Sequence, residues 1–140
     1  MNGRILAVGL LCAGCLLLTG CSGKGVQTGT VSGTVTLDGQ PLADGTINFN
    51  SLDGNTPTSG GKITNGSFSV AVPRGVQKVM ISSPVVKSSR KAYENDPNSP
   101  LVNEYKESLP VKYTNPFETP LSVDVNASSV KQDFALSSTP

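Results

Sequence analysis

The chain has 140 residues, a length that suits one small domain. It carries 11 Lys or Arg residues against 10 Asp or Glu residues, so its formal net charge is +1. This balance lacks the clustered basic charge that nucleic-acid binding requires. The chain contains no His, which excludes Ser–His–Asp catalysis, Cys–His catalysis and imidazole metal sites. We therefore predict no catalytic residue, no metal site, no cofactor and no nucleic-acid partner.

The first 20 residues have the pattern of a signal peptide. A short segment with the basic residue Arg4 precedes an apolar run of 14 residues, 5–18. A run of this length is typical of the apolar region of a signal peptide, and it is shorter than the about 20 residues of a membrane-spanning helix. We predict that residues 1–20 are an address segment and not part of the folded domain.

The four residues that end this segment, Leu18-Thr19-Gly20-Cys21, resemble the lipobox of bacterial lipoproteins. The resemblance implies cleavage between Gly20 and Cys21, and acylation of Cys21 at its thiol and at the new amino group. In such lipoproteins an Asp after the Cys retains the protein in the inner membrane. Here Ser22 follows, which implies a lipid-anchored envelope protein at the outer membrane, facing the periplasm or the surface. The alternative is an uncleaved anchor in which Cys21 is only a small apolar residue.

The other two cysteines, Cys12 and Cys15, lie within the predicted signal peptide. If Cys21 carries lipid, no thiol remains for a disulfide in the mature chain. Residues 23–30, GKGVQTGT, are rich in Gly and Thr, and this composition predicts that residues 21–29 form a flexible tether, which the lipobox resemblance implies is lipidated.

From residue 30 onward, apolar and polar residues alternate in short runs separated by turn signals. The Asp38-Gly39 and Asn65-Gly66 pairs are typical of tight β-hairpin turns. We predict an all-β domain over residues 30–137, an antiparallel β-sandwich of about seven strands. The predicted strands are residues 30–37, 46–50, 62–64, 67–72, 76–81, 121–125 and 130–136.

Residues 84–108 interrupt this pattern as a long insertion between strands. We predict that 87–98 is exposed and mobile and that 100–107 forms a short helix, because Ser99-Pro100 is a helix-start signal. Its apolar residues Leu101, Val102 and Tyr105 would pack against the sheet. If the protein has a partner, this loop is where we expect it to bind. The candidate contact residues are Lys87, Arg90, Lys91 and Tyr93.

Residues 31–49, VSGTVTLDGQPLADGTINF, resemble the opening of a transthyretin-like, or carboxypeptidase regulatory-like, β-sandwich module. The later Asn65-Gly66-Ser67-Phe68 corner and residues 75–81 also resemble that module, although Gln77 stands where it usually has an aromatic residue. The resemblance covers about residues 31–136 and implies a prealbumin-like sandwich. It implies almost nothing about activity.

Three classes of function remain open from the sequence. We expect a membrane-anchored, non-catalytic envelope lipoprotein that binds an envelope protein or a saccharide, or that serves structurally. A small carrier or sensor of a hydrophobic ligand is the alternative. An enzyme is the least favoured class: hydroxyisourate hydrolases, which share the transthyretin fold, rely on His and a C-terminal Tyr-Arg-Gly-Ser, whereas this chain ends in Leu-Ser-Ser-Thr-Pro.

Overall fold

The computed structural model describes residues 25–139. The predicted signal peptide, the cleavage site at Gly20 and the lipidation site at Cys21 lie outside these residues, so all three stay predictions.

The described chain is built almost entirely of β-strands, which confirms the predicted fold class. The elements in chain order are β1 (Thr28–Leu37), β2 (Gln40–Pro41), β3 (Asp44–Ser51), β4 (Ser59–Thr64), β5 (Ser67–Pro73), β6 (Gly75–Ser82), β7 (Pro84–Lys91), β8 (Leu101–Glu107), α1 (Val111–Thr114), β9 (Ser122–Val125), β10 (Ser129–Lys131) and β11 (Phe134–Leu136).

Nine of the strands form one curled sheet with the order β10-β1-β5-β4-β3-β6-β9, and β2 and β11 also pair with β1. The remaining two, β7 and β8, form a separate hairpin. Most pairs in the curled sheet are antiparallel, but β1 pairs with β10 and β11 in parallel. The connection over residues 126–128 reverses the chain after β9, so that β10 and β11 run in the same direction as β1. Because only three residues join β9 to β10, the two ends of the strand order lie close together.

Both predicted tight turns are present. Asp38 and Gly39 have φ values of 49° and 83°, and Asn65 and Gly66 have φ values of 49° and 77°. Two successive positive φ values are the signature of the turn type that matches the twist of a hairpin. Asn, Asp and Gly tolerate this backbone better than other residues, which is why these dipeptides mark the corners.

Three aromatic rings form the centre of the core. The ring centroids of Phe49 and Phe68 lie 6.3 Å apart, and those of Phe68 and Phe134 lie 6.0 Å apart. Aliphatic side chains from the inward-facing positions of the strands surround the rings, for example those of Val31 and Ile47. Period-two alternation in the sequence therefore reports the inner face of the sheet correctly.

The C-terminal segment differs from the prediction. A single strand was predicted over 130–136, whereas the structure has two short strands, β10 and β11. The break falls at Gln132 and Asp133, where the chain crosses β1 at Gly33. A Cβ atom on Gly33 would collide with the Gln132 carbonyl oxygen, so only glycine permits this approach. The Asp133 carboxylate accepts hydrogen bonds from the Thr34 backbone N–H at 2.8 Å and from the Thr34 hydroxyl at 2.9 Å.

Three further expectations are wrong in detail. Residues 25–139 form eleven strands and not about seven, because the insertion supplies two strands and because β2, β10 and β11 are pieces of two or three residues. The predicted helix over 100–107 does not form: these residues include β8, and the helix of the described chain is α1, which follows the insertion. Strand β1 also begins at Thr28, which pairs with Pro73, two residues before the predicted start of the domain.

We expect Phe68→Ala to lower the free energy of unfolding by about 3–5 kcal/mol, because it removes a buried ring that contacts two others. Urea denaturation of the domain measures this change. Phe117→Ala is the matched control: Phe117 is 94% exposed, so its loss should change stability by no more than about 0.5 kcal/mol. Equal effects of the two substitutions would contradict this assignment of the core.

Candidate binding hairpin

The insertion, predicted to be an exposed stretch followed by a short helix, is a regular two-stranded hairpin. Strands β7 and β8 pair from Pro84↔Glu107 to Lys91↔Leu101, with a register shift between Val86 and Ser88. Every residue of β7 is exposed, as predicted for its residues from Lys87 onward. Within residues 25–139 neither strand pairs with any strand other than its partner, so the outer edges of both carry backbone groups free of sheet partners.

The hairpin leaves the sheet at the end opposite to the chain's first described residues. Strand β1 begins at Thr28, which pairs with Pro73, and the Arg74 N–H donates to the Gln27 carbonyl. Strand β6 then runs away from this end, from Gly75 to Ser82, and the hairpin follows directly. We call the end near Thr28 the tether end and the opposite one the hairpin end.

One carboxylate, that of Glu107, joins the hairpin to the sheet. Its Oε1 accepts hydrogen bonds from three backbone N–H groups: Ser83 at 2.8 Å, Ser108 at 3.0 Å and Leu109 at 3.1 Å. Its Oε2 accepts a hydrogen bond from the Ser82 hydroxyl. The Ser83 hydroxyl in turn donates to the Asp44 carbonyl at 2.7 Å. The base of the hairpin is therefore fixed to the end of β6 by charge-assisted bonds to Glu107, and to β3 by a neutral hydrogen bond from Ser83 to the Asp44 carbonyl.

These contacts change the pKa of Glu107 in opposite directions. Partial burial raises the pKa, but the hydrogen bonds from Ser82, Ser83, Leu109 and Ser108 together lower it by more, so the net shift is downward. Since the pKa of Glu107 is lower in the folded state than in the unfolded state, its contacts stabilise the hairpin base at neutral pH. That stabilisation is lost as the pH falls through the folded-state pKa.

The four candidate contact residues all lie on this hairpin, and all are exposed. The Lys87 ammonium pairs with Glu104 at 3.2 Å, so its charge is partly satisfied within the hairpin. Arg90 and Lys91 are neighbours near the far end of β7 and therefore point to opposite faces. Tyr93 lies in the tip and is 67% exposed. The three basic residues and Tyr93 thus lie on the same hairpin, but their side chains do not share one face of it.

Apolar side chains on the hairpin are also exposed, and sequence analysis placed three of them wrongly. Leu101, Val102 and Tyr105 were expected to pack a helix against the sheet, yet they are 68%, 44% and 61% exposed. Val85 and Val86 are about half exposed as well. Pairing of Val86 with Tyr105 places these two side chains on the same face, whereas Val85 lies on the other. Both faces of the hairpin therefore present apolar groups to solvent.

A cleft of about 620 Å³ lies where the hairpin meets the sheet. It is lined by residues that sequence analysis did not connect: Asp44, Gly45, Thr46, Lys62, Pro84 and Tyr105. The Lys62 ammonium and the Asp44 carboxylate form an exposed ion pair at 3.4 Å on one side. The Tyr105 ring and Pro84 supply the apolar wall on the other. This cleft offers a ligand an aromatic surface together with hydrogen-bonding groups.

Residues 25–139 contain no group of three or more Asp, Glu, Cys or His side chains placed to hold a metal ion. Over the same residues, no helix has the length and apolar character needed to cross a membrane.

Comparison with known proteins gives little further information. No protein-family model matches the chain, and no curated protein sequence matches it. Among solved structures the chain is similar to a 9R-lipoxygenase from Cyanothece PCC8801, with a TM-score of 0.42 and 13% sequence identity over 79% of this chain. The aligned part spans only 16% of the lipoxygenase. A likeness at this level carries no functional inference.

We expect the amide protons of Ser83, Ser108 and Leu109 to shift together in an NMR pH titration, because all three donate to the Glu107 carboxylate. The common midpoint should lie below the ordinary pKa of a glutamate, and Glu107→Gln should abolish it.

Glu104→Gln provides the matched control for this titration. Glu104 accepts hydrogen bonds from the side chains of Lys87 and Ser88 on the exposed hairpin, not from the three amides. The titration should therefore survive in this variant. Three independent midpoints, or no change in Glu107→Gln, would show that Glu107 does not join the hairpin to the sheet.

Proposed function

We propose that the protein is a non-catalytic lipoprotein of the bacterial cell envelope, anchored by lipid on Cys21, whose β-sandwich presents the β7–β8 hairpin to a partner. One observation carries the binding part of this proposal: an exposed hairpin with apolar groups on both faces projects from the end of the domain opposite to the tether. Several exposed apolar side chains grouped on one projecting element of a small domain are typical of an interaction site.

The anchor is supported by the sequence before the described residues. An apolar run of signal-peptide length ends in Leu18-Thr19-Gly20-Cys21, which resembles a lipobox. A single acyl chain holds a protein to a bilayer only marginally, whereas the several chains of a bacterial lipoprotein hold it firmly. Lipidation would place the tether end of the domain at the membrane and the hairpin away from it.

The turns and core support the proposal that the sandwich is a transthyretin-like module. Asp38-Gly39 and Asn65-Gly66 make the tight corners that the resemblance implies, and Phe49 and Phe68 fill the core. Gln77, which stands in the module's aromatic place, is fully buried and donates to the Pro73 carbonyl at 3.1 Å. A buried polar side chain at this position is a departure from the usual pattern.

The hairpin favours a protein as the partner over a saccharide. Its outer strand edges offer backbone donors and acceptors to an added strand, and its alternating side chains offer Val86, Leu101 and Tyr105 as apolar contacts. The cleft beside Tyr105 is the surface on which a saccharide would bind instead. We therefore propose that the hairpin binds a strand of a partner protein.

Metabolic labelling with a palmitate analogue tests the anchor. We expect the full chain to take up label, and the Cys21→Ala variant to lose it, because the thiol is the acceptor of the lipid. Cys15→Ala is the control and should label as fully as the wild type. Equal labelling of wild type and Cys21→Ala would rule out the lipoprotein assignment.

A further inference from the structure

A second exposed apolar surface lies at the tether end, away from the hairpin. It consists of Leu52, Val76 and Phe117, which are 61%, 47% and 94% exposed. Leu52 and Phe117 line a cleft of about 410 Å³ together with Lys78. Val76 lies two residues from Lys78 on the outward face of β6, the face opposite to the buried Gln77 and Val79. We call these three residues the tether-end patch.

The loop that carries Phe117 is firmly held, so the exposure of its ring is a feature of the fold. The Asn115 side chain accepts a hydrogen bond from the Phe117 backbone N–H at 3.0 Å. It also donates a hydrogen bond to Glu118 Oε1 at 3.0 Å. The buried Thr119 donates its hydroxyl to the Val79 carbonyl at 2.7 Å. These bonds fix the loop to β6 while the Phe117 ring contacts solvent on nearly its whole surface. An aromatic ring presented in this way suits a partner that is partly apolar.

The patch lies close to the point where the tether joins the domain. Strand β1 packs against the end of β9, since a Cβ atom on Gly29 would lie 2.8 Å from Val125 Cγ1. Val125 pairs with Gly75, the residue before Val76. Seven residue steps separate Cys21 from Thr28, a span of at most about 25 Å when fully extended. An acyl group on Cys21 would therefore hold the bilayer surface within reach of the patch.

We propose that the tether-end patch rests on the bilayer that holds the acylated Cys21, with Phe117 at the boundary between the lipid headgroups and the acyl chains. This inference rests on the proposed lipid anchor. Aromatic and aliphatic side chains are favoured at the membrane interface, where the ring is partly withdrawn from water. The contact fixes the orientation of the domain, so that the hairpin points away from the membrane.

The charges around the patch indicate the lipids that it accepts. Lys78 and Arg74 lie on or beside it, but Asp53 adjoins Leu52, and Asp124 pairs with Val76. With both signs present, the patch has no clear attraction for anionic lipids. We therefore expect it to contact phosphatidylcholine bilayers, with little dependence on salt.

A tryptophan reporter tests the contact directly, because the chain contains no Trp of its own. The full chain, purified from membranes, is reconstituted into phosphatidylcholine vesicles whose acyl chains carry bromine, a short-range quencher of Trp fluorescence. The Trp of the Phe117→Trp variant should emit at shorter wavelength in vesicles than in the urea-unfolded chain. Brominated lipid should reduce its fluorescence severalfold. Tyr93→Trp, at the hairpin tip, is the matched control and should show neither effect.

The mass of the N-terminal peptide from the same preparation separates the two proposals. If Cys21 carries acyl chains and the Phe117→Trp emission is not quenched, the membrane contact is wrong and the anchor stands. Equal quenching of both reporters would also overturn the contact, because the domain would then have no fixed orientation. If Cys21 carries no acyl group, both proposals fall.

Discussion

The close approach of the C-terminal segment to β1 is the contact on which the rest of the fold depends. Strand β1 pairs with β2, β5, β10 and β11, more partners than any other strand of the described chain. The segment crosses it at Gly33, where a side chain would collide with the Gln132 carbonyl oxygen. Asp133 then bonds Thr34 and sets the register of β11, which brings Phe134 against Phe68. Without that crossing, the curled sheet would not enclose its three phenylalanine rings.

Because the core is complete within the curled sheet, the hairpin is free to serve another purpose. It adds no side chain to the buried hydrophobic cluster from its strands, and its connection to the sheet consists mainly of the hydrogen bonds around Glu107. A two-stranded hairpin is at best marginally stable alone, so this anchorage and the short ladder hold it in place. The two ends of the domain then differ in their exposed groups: the hairpin and its cleft at one, and the tether-end patch at the other. This polarity is what a module placed between a membrane and a partner requires.

The sequence pattern predicts the strands correctly wherever one face of the sheet is buried and the other is exposed to solvent. Around Phe49 and Phe68, alternation of apolar and polar residues follows directly from that environment, and Asn65-Gly66 marks the corner between β4 and β5. It failed for β8, where Leu101 and Val102 are adjacent apolar residues and both faces are exposed, so no alternation arises. The Ser99-Pro100 pair, a helix-start signal, is overridden by pairing with β7.

The candidate site could be only partly predicted, for a related reason. Its basic residues and Tyr93 lie close together in the sequence, between positions 87 and 93, and the insertion as a whole was identified from its length. The cleft, by contrast, joins residues as distant as Asp44 and Tyr105, which only the register of the strands brings together. The role of Glu107 was equally hidden, because three of its four partners are backbone amides that no side-chain pattern reports.

Photocrosslinking in intact cells tests the central claim, that the hairpin is the surface that contacts a partner. A photoreactive amino acid replaces Leu101, exposed on the hairpin, or Ala71, exposed on β5 in the curled sheet. We expect a discrete adduct with an envelope protein from the Leu101 position, and none from the Ala71 position. Adducts from Ala71 alone, or the same adducts from both positions, would contradict the assignment of the hairpin as the binding surface.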